Sequence, residues 1–151
     1  MSASVYTRAG AQYWPQLSAT LPFLLSGNWT EEALLAMESS GHLLRVLLDD
    51  NAVVAFAEVQ WIVDECQLYN IAVLPHRQRM GQGLLLLNAL LDEARTAGMK
   101  NCVLEVRESN LAARKLYEKA GFIRSGRRPA YYPSLTDSSQ REAALIYSCL
   151  L

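Results

Sequence analysis

The sequence has few cysteines and no cysteine motif. Its 151 residues include only Cys66, Cys102 and Cys149, which lie far apart in the chain and form no CxxC pair. An odd number of cysteines at these spacings disfavours both a disulfide framework and a zinc site. Because His42 and His76 also lack companions at ligand or triad spacing, we expect neither a metal ion nor a Ser-His-Asp triad.

An excess of charge of one sign is also absent. Lysine and arginine number 14 against 15 aspartates and glutamates, a net charge of -1 at pH 7. This balance provides no general attraction to nucleic acid or to an anionic membrane, so we expect neither as a partner. The charge is nevertheless uneven: residues 1–75 hold two basic and eight acidic residues, and residues 76–151 hold twelve and seven. The acidic half is suited to a cationic partner and the basic half to an anionic one.

No segment has the composition of a signal peptide or a membrane span. Residues 9–30 carry no charge, but Pro15, Pro22 and several polar residues interrupt them, and only Arg8 precedes them. We interpret this stretch as an exposed helix and loop, and we expect a cytoplasmic protein. Since repeats, low-complexity tracts and linkers are also missing, residues 1–151 are expected to form a single domain with its own core.

The order of hydrophobic patterns and turn signals predicts an α+β fold. Antiparallel hairpin strands come first and strand-helix-strand-helix-strand follows, so the parallel part of a mixed sheet is expected in the second half. Thr30 is a candidate N-cap of a helix with Glu31 and Glu32 in its first turn, followed by Ala33, Leu34, Leu35 and Met37. Residues 49–51 are a hairpin turn signal. Strands are expected near Val5, at 42–48, 53–63, 66–74 and 102–107, from 122, and at 143–149, with helices at 84–97 and 111–120.

A glycine-containing segment precedes the helix expected at 84–97. It reads Gln78-Arg79-Met80-Gly81-Gln82-Gly83 and follows a strand. Backbone N–H groups at a helix start favour phosphate or pyrophosphate, and Arg77 and Arg79 add positive charge. A plain turn that caps the helix explains the same residues. The segment lacks the P-loop pattern, and Leu86 stands where a dinucleotide-binding fingerprint needs a third glycine.

Three further features allow both a packing and a functional interpretation. Glu105 lies within an apolar strand, where a carboxylate is costly unless it is paired or faces water. It either pairs with an arginine such as Arg107 or lines a cleft as a general base. Asn110 precedes the helix that carries Tyr117, so these residues either cap and pack or act chemically. The segment Tyr131-Tyr132-Pro133 is either a packed loop or an aromatic wall for a substrate.

Together these residues resemble the GNAT family of N-acetyltransferases. Gln78, Gly81 and Gly83 match the family signature Q/R-x-x-G-x-G/A, and the order of elements agrees over nearly the whole chain. Six further segments resemble the RimI-type members, which acetylate the N-terminal alanine of the eighteenth protein of the small ribosomal subunit. These segments are residues 68–73, 104–107, 109–110, 116–118, 121–122 and 131–133.

The resemblance implies a mostly antiparallel sheet that is splayed at a parallel strand pair and flanked by helices. It also implies acetyl-CoA as cosubstrate and no metal. The backbone of Ile71, Ala72 and Val73 would bond the pantetheine arm, which Asn110 would also contact. The pyrophosphate would be held by the amides of Arg79, Met80, Gly81, Gln82, Gly83 and Leu84.

The resemblance further assigns the chemistry to two side chains. Glu105 would be the base, acting directly or through water, and Tyr117 would be the acid. Tyr131 and Tyr132 would lie on the substrate side. Transfer would be direct, without an acyl-enzyme, so the three cysteines are expected to be dispensable.

The resemblance implies a protein N-terminus, that of a ribosomal protein, as the acceptor. One alternative is a lysine side chain or a small amine. Another is a non-catalytic module that binds acetyl-CoA, although such a module would need neither Glu105 nor Tyr117. Residues 134–140 form a longer stretch than the family pattern, and Pro129 and Ala130 also depart from it. Both departures lie where a peptide would rest, so peptide specificity stays open.

Overall fold

The computed structural model describes residues 4–24, 30, 32–33, 36 and 40–151. These residues form one seven-stranded sheet in the order β1-β2-β3-β4-β5-β7-β6, in which only the β4–β5 pair is parallel. The strands are β1 Val5–Arg8, β2 His42–Asp49, β3 Ala52–Ile62, β4 Glu65–Val73, β5 Asn101–Arg107, β6 Ile123–Pro133 and β7 Arg141–Leu150. The helices are α1 Trp14–Leu24, α2 Gln82–Thr96 and α3 Leu111–Lys119. The α+β prediction with a mixed sheet is confirmed.

The hairpin between β2 and β3 confirms the predicted turn. Asp49 pairs with Ala52, which leaves a two-residue loop. Its residues, Asp50 and Asn51, have φ angles of 50° and 61°. Two successive positive φ angles match the twist of the flanking strands, and aspartate and asparagine tolerate this conformation better than most residues.

Helices α2 and α3 cover one face of the sheet. The buried side of α2 consists of Leu86, Leu87, Leu90, Leu91 and Ala94, at the spacing of a helix with one apolar face. These side chains form a core with alternate residues of β3, β4, β5 and β7, such as Leu104 and Leu145. The core fixes α2 on the sheet, and with it the turn at the start of α2.

Helix α1 packs on the opposite face of the sheet. Leu17 is completely buried against Leu44, Val46 and Phe56 of β2 and β3. The prediction that the helix within residues 9–30 is exposed is therefore wrong, because its Leu17 is buried. The apolar second face of β2 and β3 requires a cover, and Leu17 supplies it despite the polar residues around it.

The remaining differences from the predicted elements are small. Helix α2 begins at Gln82 rather than at residue 84, because Gly81 takes a left-handed φ of 79° as its N-cap. Thr30 accepts a hydrogen bond from the Ala33 N–H at 3.0 Å, as an N-cap does. Four other residues named for that helix lie outside the described part of the chain: Glu31, Leu34, Leu35 and Met37.

Candidate active site

The sheet opens between its two parallel strands. Residues 65–68 of β4 pair with residues 101–104 of β5, and the pairing ends there. Beyond that point β4 continues beside β3 alone, while residues 105–107 of β5 continue beside β7. Ile71, Ala72 and Val73 thus present one backbone edge to the opening, called here the splay. An edge with unpaired N–H and C=O groups can accept an extended ligand as a further strand.

A β-bulge lies where the splay begins. Glu58 pairs with Asn70 and the next residue, Val59, pairs with Leu68, so Tyr69 is the extra residue of β4. A bulge bends its strand and redirects side chains, which is why Tyr69 is 47% exposed.

Sequence reasoning missed the polar group that supports this bulge. The carboxylate of Glu58, only 8% exposed, accepts a hydrogen bond from Asn70 Nδ2 at 2.5 Å and contacts His42 Nε2 at 2.8 Å. The His42 ring also lies edge-on to Tyr69, with 5.7 Å between centroids. His42 therefore has an acidic companion sixteen residues away. Side-chain alternation along β3 predicts which face of the sheet Glu58 occupies. Only the register of β2, β3 and β4 shows that Glu58 contacts His42 and Asn70.

The glycine segment forms the turn that enters α2. Gly81 is the N-cap and provides no side-chain acceptor, so the first N–H groups of the helix are available to a ligand. Arg79 also has a positive φ of 62° and is exposed. Gln78 Nε2 donates to the carbonyl of Val73 at 3.1 Å, which joins this turn to the end of β4. The turn that enters α2 therefore lies against the end of β4 that borders the splay.

The positive charge expected beside this turn comes from one arginine rather than two. Arg77 is ion-paired with Asp49 at the end of β2. For Arg79, the described residues contain no ion-pair partner. Its guanidinium thus remains available to an anion.

Gly83 and Gln82, at the start of α2, have specific surroundings. A Cβ on Gly83 would stand 3.4 Å from side-chain atoms of both Val73 and Leu116, so the glycine fits between β4 and α3. The side-chain oxygen Oε1 of Gln82 is buried and has no hydrogen-bond donor among the described residues. Such an acceptor is costly to leave unpaired and fits a ligand that carries N–H groups.

Glu105 lies in a cavity of about 400 Å³ on the α1 side of the sheet. The cavity is formed by residues of β4, β5, β6 and β7 and includes Tyr69, Val103, Arg128, Tyr131 and Tyr132. Among the described residues, Arg128 is the ion-pair partner of Glu105, with 3.0 Å between Nε and Oε1.

The packing interpretation paired Glu105 with an arginine such as Arg107. The partner is an arginine, but it is Arg128 and not Arg107. Arg107 donates to the Pro133 carbonyl at 2.7 Å, lies 3.6 Å from Glu142 and stacks on Tyr132 at 4.6 Å. Glu105 therefore faces a cavity as the functional interpretation requires, and it is also paired.

The two tyrosines of β6 form an aromatic wall of this cavity. Tyr131 and Tyr132 meet edge to face, with ring centroids 4.9 Å apart. Burial, followed by the nearby charge of Glu105, raises the pKa of Tyr132, so its phenol stays protonated at neutral pH. Tyr131 and Tyr132 thus line the same cavity as Glu105.

Tyr117 lies on α3, on the other face of the sheet from Glu105, and Asn110 is the residue before that helix. Asn110 caps α3 by accepting the Ala113 N–H at 3.1 Å. Tyr117 is 7% exposed and packs against Phe122 and Tyr147. Burial, with smaller effects of Tyr132 and Cys102, raises the pKa of Tyr117. Tyr117 does not line the Glu105 cavity.

The three cysteines are neighbours in space although they are distant in sequence. Cys66 pairs with Cys102 across β4 and β5, and Cys102 pairs with Cys149 across β5 and β7. All three are buried free thiols. A hydrogen bond with Cys66, together with burial, raises the pKa of Cys102, so this thiol is a poor nucleophile.

Neither a metal-binding cluster nor a membrane-spanning helix occurs in the described residues. They contain no group of three or more His, Cys, Asp or Glu side chains arranged to hold a metal ion. None of their helices combines the length and the apolar character that crossing a bilayer requires.

Comparison with known proteins identifies relatives along most of the chain. Residues 9–122 match the Acetyltransferase (GNAT) family. A curated relative is the [Ribosomal protein bS18]-alanine N-acetyltransferase of Haemophilus influenzae, which is 40% identical over 123 residues, or 82% of each chain.

Solved structures show the same fold. The ribosomal-protein-S18-alanine N-acetyltransferase of Escherichia coli superposes with a TM-score of 0.82 at 32% identity, over 98% of this chain and 94% of that one. A GNAT family acetyltransferase from Elizabethkingia anophelis, solved with acetyl-CoA bound, has a TM-score of 0.74 at 18% identity over 98% of each chain. At that identity the likeness concerns the fold alone.

Proposed function

This chain belongs to the GNAT family and is an acetyltransferase, and we propose that it transfers the acetyl group of acetyl-CoA to a protein N-terminus. The natural acceptor we propose is the N-terminal alanine of ribosomal protein bS18, the substrate in the names of its relatives. The observation that carries the proposal is the position of Glu105, a carboxylate in a cavity beside the splay.

The residues around the splay fit acetyl-CoA. The backbone edge of Ile71, Ala72 and Val73 suits the amide groups of the pantetheine arm, and Gln82 Oε1 is a buried acceptor in need of an N–H donor. Asn110 would contact the arm from the start of α3. The pyrophosphate suits the N–H groups of the turn that contains Arg79, Met80, Gly81, Gln82, Gly83 and Leu84. When bound, acetyl-CoA supplies an acetyl group activated as a thioester.

Glu105 would remove a proton from the acceptor. A protein α-amine has a pKa of about 8, so it is largely protonated at neutral pH and must lose a proton before it attacks. A general base must lie within hydrogen-bond reach of that proton or act through one water molecule. The cavity brings an amine to Glu105 while Tyr131 and Tyr132 support the first residues of the peptide. A backbone N–H near Val73 would stabilise the negative charge that develops on the carbonyl oxygen.

Tyr117 would return a proton to the departing thiolate. Burial raises its pKa, so the phenol holds its proton at neutral pH and can only donate. A thiol has a pKa of about 8.5, so donation from Tyr117 is uphill and depends on close placement in the transition state. Because burial raises the pKa of Tyr117 rather than lowering it, the proposed donation relies on the position of the phenol beside the departing sulfur.

The charge distribution supports a basic peptide as acceptor. Residues 1–75 contain an excess of six acidic residues and contribute β1 to β4, which include Tyr69 at the cavity. An excess of acidic residues in this half of the chain favours the approach of a cationic peptide over an acidic one.

The test measures thiol release from acetyl-CoA with a basic peptide that begins with alanine, beside the same peptide with a blocked α-amine. We expect turnover only with the free amine. Glu105→Gln should lower kcat by about 10²- to 10⁴-fold and leave acetyl-CoA affinity unchanged. Glu108→Gln is the matched control, since Glu108 lies three residues away and is ion-paired with Arg127 at the surface.

Four outcomes would contradict parts of this proposal. Turnover of free lysine or a small amine in preference to the peptide would overturn the acceptor. Tight acetyl-CoA binding without turnover of any amine would indicate a non-catalytic module. Full turnover by Glu105→Gln would overturn the assignment of the base, and full turnover by Tyr117→Phe that of the acid.

A further inference from the structure

The cavity of the free protein already contains a cation. Arg128 reaches from β6 to Glu105, with Nε 3.0 Å from Oε1. Both side chains line the same cavity, which is open enough to leave the guanidinium side chain 55% exposed and that of Glu105 28% exposed. The guanidinium therefore occupies the place that an ammonium group would take beside this carboxylate.

This ion pair can be broken at low cost. An exposed pair contributes little to stability, because water solvates both partners once they separate. Arg128 also has a second partner, since its guanidinium carbon lies 5.5 Å from the centre of the Tyr131 ring. A cation over an aromatic face is a favourable arrangement that does not involve Glu105.

The backbone next to Arg128 is irregular. Between Arg128 and Tyr132 the pairing of β6 with β7 shifts register, and Ala130 within this stretch has a φ of 51°. Alanine rarely adopts a positive φ, so the surrounding structure imposes this conformation. Such a bulge sets the direction in which Arg128 and Tyr131 project from an otherwise regular strand.

The guanidinium of Arg128 and the primary ammonium of an acceptor differ in whether they can release a proton. A guanidinium keeps its proton under all ordinary conditions, so it can occupy the carboxylate without reacting. A primary ammonium binds a carboxylate as a compact charge and can then give up its proton.

We propose that Arg128 is a specificity residue. In the free enzyme its guanidinium occupies the amine position beside Glu105, and only a cationic amine displaces it. On binding, the ammonium of the acceptor replaces the guanidinium at Glu105, and Arg128 keeps only its contact with the Tyr131 ring. A blocked, uncharged N-terminus cannot compete for the carboxylate of Glu105, so Arg128 stays paired with it. The inference rests on the proposed role of Glu105 at the amine position.

The first experiment follows the Nε–H signal of Arg128 by nuclear magnetic resonance, assigned by comparison with Arg128→Lys. The probe is alaninamide, with N-acetylalaninamide as its uncharged counterpart. We expect alaninamide to shift the signal in a saturable manner and N-acetylalaninamide to leave it in place. A signal that saturating alaninamide does not move would overturn the proposal.

The second experiment measures peptide binding without acetyl-CoA. Arg128→Gln should bind the alanine-initiated peptide about two- to fivefold more tightly than wild type, because an exposed pair no longer has to be broken. The blocked peptide should show no such gain. Arg124→Gln is the matched control, since Arg124 is exposed on the same strand and has no ion-pair partner among the described residues.

The results separate this inference from the proposed function. An equal gain for both peptides, or weaker binding of the free-amine peptide by Arg128→Gln, would overturn the role of Arg128 even if the wild type acetylates alanine. If alaninamide displaces Arg128 but no alanine peptide is acetylated, the inference stands and the proposed acceptor fails.

Discussion

Arg45 on β2 and Glu93 on α2 form a two-pronged ion pair between the sheet and the helix that begins after Gly81. Nη2 of Arg45 lies 2.7 Å from Oε1 of Glu93, and Nε lies 3.0 Å from Oε2. The hydroxyl of Tyr6 on β1 donates to the same carboxylate. Arg45 is only 6% exposed, so this pair anchors α2 from inside the protein.

Loss of this pair should destabilise the fold. Glu93→Gln leaves the buried Arg45 facing an uncharged amide, which should cost about 2 to 4 kcal/mol of unfolding free energy. Denaturant unfolding measures the difference. Arg95→Gln is the control, because the Arg95–Asp92 pair is exposed and should contribute about 0 to 1 kcal/mol. An equal loss in both variants would show that the pair does not anchor α2.

The same carboxylate should make stability depend on pH. Burial acts to raise the pKa of Glu93, but hydrogen bonds from Arg45 and Tyr6 outweigh it, and the pKa falls below its ordinary value of 4.5. A pKa lowered by folding contributes stability above the unfolded value, and that stability is lost as pH falls through the folded one. The stability gap between wild type and Glu93→Gln should therefore stay constant near neutrality and narrow below pH 4.5. A gap that persists in acid would contradict this assignment.

Arg79 should act on the pyrophosphate. Its charge is exposed and unpaired among the described residues, so Arg79→Gln should raise the KM for acetyl-CoA about fivefold without changing kcat. A truncated acetyl thioester that lacks the pyrophosphate should show no such change. Lys100→Gln is the control, since Lys100 precedes β5 and lies at the opposite end of the parallel pair. An equal rise in KM for both thioesters would show that Arg79 does not act through the pyrophosphate.

The cysteine row should matter for stability and not for turnover. Cys102→Ala removes a buried sulfur between Cys66 and Cys149, which should cost about 1 kcal/mol of unfolding free energy. Because the pKa of Cys102 is raised and transfer is proposed to be direct, kcat should stay within about twofold of wild type. A folded Cys102→Ala protein without turnover would point instead to an acyl-enzyme.

The local features of this protein follow from its sequence. The Asp50–Asn51 turn and the cap at Asn110 depend on local preferences of the residues themselves, so short segments predict them. Apolar spacing predicts α2 in the same way, although it placed the start of the helix two residues late. The family signature around Gly81 and Gly83 is equally local, which is why the resemblance precedes any structure.

The partners of the charged residues depend on the tertiary structure. Glu105 and Arg107 share a face of β5, yet Glu105 pairs with Arg128, because the register of β6 on β7 brings that residue to the cavity. Strand register likewise brings Glu58 of β3 to Asn70 beside the bulge of β4. Side-chain alternation determines which face a residue occupies, and that much is written in the sequence. Which residue stands opposite is set by strand order and register, which the packing of the whole core selects.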